Sequence, residues 1–362
     1  MDGDEKHAEA MQVERYDFTD LVPEQRPRAQ SMRGFDPVYT DIVDYIVRCT
    51  HRIWDERDVG LIYTHYTDNA VMYTTLATLY GREDVVRDTI QRIAEFPDRR
   101  GMATQVIWRG DDDAGSYTSH LVTTTGRHTE PSGYGRPTGR RFATRTVADC
   151  MIFENRIFRE WLVRDNLAIV LQLGLDRHAM AQAAAQVMLD AGTTVLEIAE
   201  NQRLPGQYPP AEAPDVSIAH TPTEEWCLAW MHEAYNRRMF GVVADVYAPN
   251  GQWHGPPMRE LFGTAAILTQ IIRLVAMLPD CAFVAQHICS NRCDEGGEKV
   301  AIRWTLDGHH LGHGTLGPPT GQRVFVMGVT QLHVIDRKIV DDWTVYDELA
   351  MLTQIKLGLL AA

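Results

Sequence analysis

HRIWDERDVGLIYTHYTDNAVMY, residues 51–73, opens a stretch that closes on FPD at 96–98; HEAYNRRMFGVVADVYAPNGQWH, residues 232–254, opens one that closes on LPD at 278–280. The match continues outward. GRHTEPSGYGRPTGR (126–140) returns as GHHLGHGTLGPPTGQ (308–322), and REWLVRDNLAIVLQLG (159–174) as DDWTVYDELAMLTQIKLG (341–358). The copies are offset by 181 positions at His51 and His232, and by 182 at Asp165 and Asp347. A repeat of about 140 residues is far longer than the ~20–50 of a solenoid. It is a domain-sized duplication, so any site proposed in one half has a counterpart to be checked in the other.

Bulk properties narrow the class. Of the 362 residues 44% are hydrophobic and 23% charged, enough apolar material for substantial cores. The formal net charge of −14 opposes binding to nucleic-acid phosphates and to anionic membrane. No run approaches ~20 consecutive apolar residues, so no membrane span is expected. The acidic start, MDGDEKHAEAMQVERYDFTD, lacks the apolar core of a signal peptide, and a cytoplasmic location is expected. Cys49, Cys150, Cys227, Cys281, Cys289 and Cys293 form no CxxC pair and read as free thiols.

Residues 1–35 read as a charged N-terminal arm, 36–175 as domain 1, 176–220 as a helical and proline-rich linker, and 221–362 as domain 2. In domain 1, Val38, Ile42, Tyr45, Ile46, Cys49 and Ile53 make one helical stripe. In domain 2, Thr221-Pro-Thr-Glu-Glu supplies a cap, a first-turn proline and first-turn acids. A short helix (59–66 and 241–247) and a strand (70–75 and 251–254) follow. A second helix (82–95 and 264–277) is entered through Gly81 or Gly263. Three or four long strands then fill 103–165 and 283–347. Helices first and a run of antiparallel strands after them indicate an α+β unit.

The closing strands resemble those of the SnoaL-like polyketide cyclase and ester cyclase family. Glu-Trp before a strand that ends in Asp, an apolar helix ending QLG, and the preceding Gly-x-His…Gly-x-Pro-Thr-Gly turn all fit. The resemblance implies the nuclear transport factor 2 superfold: tandem cone-shaped α+β barrels, each a strongly curved antiparallel sheet wrapped round helices with a closed pocket. It also implies a fused pseudo-dimer, with further homo-oligomers open, and chemistry without a cofactor.

Two pairs carry the implied chemistry. Asp165 and Asp347 close the last strands, four residues after Trp161 and Trp343. A carboxylate there resembles the family's general acid/base, and desolvation in an apolar pocket would suit it to that role. Equally, an Asp between strand and helix is a good N-cap. His128 and His310 occupy the Gly-x-His slot, where the resemblance directs the ring toward the pocket; the alternative is a hydrogen-bonded structural histidine. Tyr73, its counterpart His254, and Trp253 lie on the first strand, as substrate contacts or as plain wall, with Trp161 and Trp343 beside them. Glu160 and Asp342 precede the tryptophans, where buried Arg–acid pairs and surface bridges are both open. His309 and His310 face opposite ways on a strand, and no metal is expected.

No nucleophile elbow, phosphate loop or dinucleotide fingerprint is present. The expected function is a cofactor-independent cyclisation, isomerisation, lyase or hydrolytic step on a mostly apolar, carbonyl-containing small molecule. Hydration of an epoxide by two carboxylates and an Arg is a further option. The alternative is a small-molecule binding or scaffold protein, with one or both pockets degenerate.

Overall fold

The computed structural model describes residues 27–192 and 212–361. Residues 1–26 of the expected 1–35 arm, and residues 193–211 of the linker with most of its proline-rich part, lie outside the described residues. In the first unit, α1 (Ile42–Trp54) precedes a 3-10 turn and α2 (Ile62–His65). Then come β1 (Tyr66–Tyr73), β2 (Thr78–Tyr80), α3 (Arg82–Glu95), β3 (Arg100–Asp111), β4 (Gly115–Arg127), β5 (Arg141–Phe153), β6 (Arg156–Arg164) and α4 (Asn166–Gln172). A further helix, α5 (Arg177–Asp190), lies over the second unit, with Ala181 in that unit's core. The second unit repeats the order: α6 (Pro222–Met231), α7 (Val242–Val246), β7 (Tyr247–Gly255), β8 (Arg259–Phe262) and α8 (Thr264–Met277). It closes with β9 (Ala282–Arg292), β10 (Glu298–His309), β11 (Arg323–Ile335), β12 (Lys338–Val345) and α9 (Glu348–Ala361).

Local chemistry sets the helix starts. Asp41 caps α1 by accepting from the Asp44 amide at 2.8 Å, and Thr221 caps α6 with Pro222 behind it. Gly81 and Gly263 precede α3 and α8 at φ 86° and 81°, a region that side-chain-bearing residues rarely adopt.

The expectation of cone-shaped barrels is overturned. Each unit holds an open six-stranded sheet, β2-β1-β6-β5-β4-β3 and β8-β7-β12-β11-β10-β9, and neither sheet is closed. Nor is either wholly antiparallel, since β1 pairs parallel with β6 and β7 with β12. Closure would need β2 to bond β3. Instead β2 is three residues long and the β3 edge turns to the other unit. There Asn291 of β9 accepts from the Trp108 amide and donates to the Trp108 carbonyl, both at 2.8 Å. One side chain thus satisfies both backbone groups of an edge residue.

The two sheets pack face to face. Leu121, Val147, Trp161 and Val163 meet Phe325, Met327, Val329 and Val345 in one cluster. The other face of each sheet lies against its own helices. Burial on both faces explains why β11 is almost continuously buried instead of alternating. The two sides of this seam differ. Arg303 lies 3.4 Å over the Trp161 ring and 3.9 Å from Asp149, and both charged groups are buried. By the repeat, the counterparts of Arg303 and Asp149 are Leu121 and Gln331. The charged pair therefore exists in one orientation only. Removing one member of a buried pair strands the other. Arg303→Met is expected to cost about 3 kcal/mol in urea unfolding, and adding Asp149→Leu to recover part of that loss.

Candidate active site

The strands of the first unit send alternate side chains to opposite faces. Trp161 and Val163 of β6 face the second unit, so Glu160, Leu162 and Arg164 face the helices. Neighbouring strands supply the same layer: Cys150, Ala148 and Thr146 lie beside them on β5, and Thr118, His120 and Val122 beside those on β4. Under α1 and α3 this face encloses about 780 Å³ of unfilled space, part of it continuous with solvent. Its apolar wall includes Ile46, Ile53, Ile62, Met72, Val85 and Ile157. Cys49 and Cys150 also line it, and burial pushes both thiols far up, so they act as wall rather than as nucleophiles.

Polar groups enter this space at separate points. Glu160 is buried and accepts the Tyr66 hydroxyl at 2.8 Å. Desolvation raises its pKa to about 7, against the lowering effect of that hydrogen bond. His120 is buried, its Nδ1 lies 3.4 Å from the Thr50 hydroxyl, and its Nε2 has no partner among the described residues. Desolvation lowers its pKa to about 4, so the ring is neutral at pH 7. The tautomer in which Thr50 donates to Nδ1 puts the ring hydrogen on Nε2, and the ring lines the cavity.

Toward the far end stand Arg99 and Arg164. Arg99 lies 4.3 Å over the Trp54 ring and donates to Thr124 at 3.4 Å, while its Nη1 is buried and unpartnered among the described residues. The Arg164 side chain has no hydrogen bond or ion pair among the described residues, and the residue lines the cavity. Desolvation lowers their pKa values to about 10 and about 9. Asp88 also lines the space but is tied to Arg92 at 2.9 Å.

The second unit fills the corresponding layer. Aligned through the repeat, Met231 stands for Thr50, Trp253 for Met72, Ile271 for Thr89, Leu274 for Arg92 and Cys281 for Arg99. Ile302 likewise replaces His120, Trp304 Val122, Leu306 Thr124, and Tyr346 Arg164. All of these second-unit residues belong to one buried core. Gly328, the counterpart of Thr146, makes room for Trp304: a Cβ there would meet that ring at 2.2 Å. The acid–tyrosine pair survives as Asp342 and Tyr247, with Thr344 donating to Asp342 at 2.7 Å.

The residues singled out from sequence fall elsewhere. Asp165 caps α4, accepting from the Ala168 amide at 3.2 Å, and also accepts from the Met258 amide of the other unit at 2.9 Å. Asp347 accepts from the Leu349 amide at 3.0 Å, and across the seam from Asn166 at 2.6 Å and Thr75 at 3.3 Å. Burial raises the pKa of both, Asp165 to about 7, yet neither lines the cavity. His128 bonds Ser132 at 3.1 Å and Thr138 at 3.3 Å inside its own turn, and His310 bonds Thr320 at 3.1 Å. Tyr73 stacks on Trp161 and His254 on Trp343, all at the seam between the sheets. Trp253 is in the second core. His309 bonds Asp280 at 2.7 Å.

Tyr66, His120 and Arg99 were not singled out from the sequence, while Glu160 was named as a member of a buried Arg–acid pair or a surface bridge and Arg164 only as a difference from Tyr346 between the halves. A signal for three of them lies in the comparison of the halves, where polar His120, Arg99 and Arg164 stand opposite Ile302, Cys281 and Tyr346.

A duplicated α+β unit, with a helix-covered sheet that in the first copy holds a mostly apolar cavity entered by a few polar groups, defines the class of protein. The family model for SnoaL-like polyketide cyclases matches residues 45–173 and 225–355, and the chain belongs to that family as two tandem copies. Membership supports an enzymatic role of cyclase or isomerase type at the level of the family. Among solved structures the chain is similar to a proposed polyketide cyclase from Acidithiobacillus ferrooxidans, at 22% identity over 38% of this chain and 96% of that one, TM-score 0.33. It is also similar to AclR, a proposed hydroxylase from Streptomyces galilaeus, at 24% identity over 37% and 94%, TM-score 0.32. IdmH, a proposed polyketide cyclase from Streptomyces antibioticus, matches at 24% identity over 37% and 99%, TM-score 0.32. No curated protein matches the chain. Among the described residues no helix is long and apolar enough to cross a membrane.

Proposed function

We propose that the first unit is the catalytic one and that it moves a proton at a carbon next to a carbonyl, with Glu160 as general acid/base. The observation that carries this is a buried carboxyl on a cavity wall with its pKa near 7. A group so poised can both take a proton and return it near neutral pH. Glu160 as carboxylate takes the α-proton, and the His120 Nε2–H donates to the carbonyl oxygen as negative charge develops there. A neutral imidazole in a dry site suits that task, because the donor is preorganised and free of competing water.

In a substrate with a second carbonyl, the enolate carbon then forms a bond to that carbonyl carbon. The new alkoxide takes the proton held on Glu160. One C–H bond and the π bond of the second carbonyl are broken, one C–C and one O–H bond are formed, and no co-reactant is consumed. Where the second carbonyl is missing, the proton returns to carbon and the result is isomerisation or exchange. The second unit, with Trp304 and Tyr346 in the equivalent space, serves as the structural half of the pair.

The reading is tested by proton exchange. In D2O, 4-acetylbenzoate presents methyl protons next to a ketone, and NMR follows their replacement. The protein-catalysed rate is expected to rise with pH through about 7 and level off above it, since the base form of Glu160 is the active one. A rate that is flat across that range, or that falls on the alkaline side of it, sinks the assignment.

A further inference from the structure

We propose that the cavity of the first unit takes a carbonyl compound that also carries a carboxylate, with the carboxylate received by Arg99 and Arg164 and the reacting carbon placed toward Glu160. This rests on the reading of Glu160 given above and adds the class of substrate.

The argument begins with charge. Arg99 and Arg164 both line one cavity, part of which is continuous with solvent. Arg99 leaves Nη1 buried without a partner, and Arg164 has no bonded partner among the described residues. A buried donor left unmade, as on Arg99, costs free energy, more so on a charged group. The nearby acids are engaged elsewhere: Asp55, whose charge acts on Arg99, accepts from the Gly101 amide at 2.8 Å. Asp88 is already bonded to Arg92, and Glu160 is bonded to Tyr66. Protein structures rarely leave such groups unpaired unless something else supplies the partner. A carboxylate does so well, because its two oxygens match the guanidinium fork.

Geometry fixes the orientation. Glu160 and Arg164 share a strand face four residues apart, about 13 Å at strand rise. Arg99, bonded to Thr124, lies at the Arg164 end, since Thr124 is beside Thr144 and Thr144 bonds the Asp165 carbonyl at 2.7 Å. His120 lies in the row between. A molecule held by its carboxylate at one end would present a carbonyl some way along toward His120 and Glu160. The halves of the chain support the link between cations and hollow. Where the second unit fills the space, Arg92, Arg99 and Arg164 are all gone, replaced by Leu274, Cys281 and Tyr346.

The test compares 4-acetylbenzoate with 4-acetylbenzamide, alike in shape and differing in charge, by calorimetry on the full chain. The acid is expected to bind at least about tenfold more tightly. Arg164→Gln, and separately Arg164→Tyr, the residue native to the second unit, are expected to bring the ratio within about twofold, with unchanged thermal unfolding of the free protein as the folding control. Equal binding of acid and amide, a preference that survives both Arg164→Gln and Arg99→Gln, or no saturable binding of the acid at about 10 mM overturns the proposal. Failure of the Glu160 reading looks different: carboxylate preference intact, with methyl exchange indifferent to Glu160→Gln.

Discussion

Glu160→Gln is expected to slow protein-catalysed exchange of the 4-acetylbenzoate methyl protons by at least about a hundredfold, the usual worth of a positioned general base. Binding of the same compound should stay within about twofold, because Gln keeps the size of the side chain and an oxygen for the Tyr66 hydroxyl. The comparison variants are Asp165→Asn and Asp347→Asn. Asn remains a good N-cap, so both should retain exchange close to the parent rate. If either aspartate variant loses exchange and Glu160→Gln does not, the catalytic acid is at the strand end after all. A stability readout accompanies the same substitution. The folded pKa of Glu160, about 7, lies above its ordinary value of 4.5. The folded state therefore binds the proton more tightly, and stability falls as pH rises from about 4.5 through about 7. Gln cannot titrate, so that loss, about 3 kcal/mol at full ionisation, should disappear from the pH dependence of urea unfolding.

The second large effect comes from making the first unit like the second. Val122→Trp with Thr146→Gly copies the Trp304 and Gly328 arrangement, in which the ring occupies the space a Cβ would need. The double variant should lose binding of 4-acetylbenzoate by about a hundredfold or more, and exchange with it. It should nonetheless fold, because the added ring buries apolar surface at about 25 cal/mol per Å². Val122→Trp alone should be the less stable protein, since Thr146 then blocks the ring and overpacking strains a core. Retained binding in a folded double variant would place the ligand outside this cavity.

Much of the architecture was legible. The second helix expected at 82–95 and 264–277 is Arg82–Glu95 and Thr264–Met277, because a glycine at positive φ and an apolar stripe mark each one locally. The strands β2 and β8 were not foreseen, being three and four residues long with little pattern to show. Barrel closure was wrongly expected. Closure depends on which edges find each other, and here the β3 edge finds Asn291 of the second unit. Which carboxyl lines the cavity was equally hard to read. Glu160 and Trp161 are neighbours on one strand, so one faces the cavity and the other the seam. Both faces of this sheet are buried, and burial alone then gives no alternation from which to tell them apart.

From the residues alone came the duplication, the α+β order and the family, since these are written in local pattern and in the match of one half to the other. Only the folded molecule decided that the sheets stay open and pack on each other. It also turned the strand-end aspartates into caps at the seam and left a hollow beneath α1 in one half while Trp304 fills the other. Such outcomes depend on side chains that are distant in sequence and meet only once every strand has its register and every face its partner.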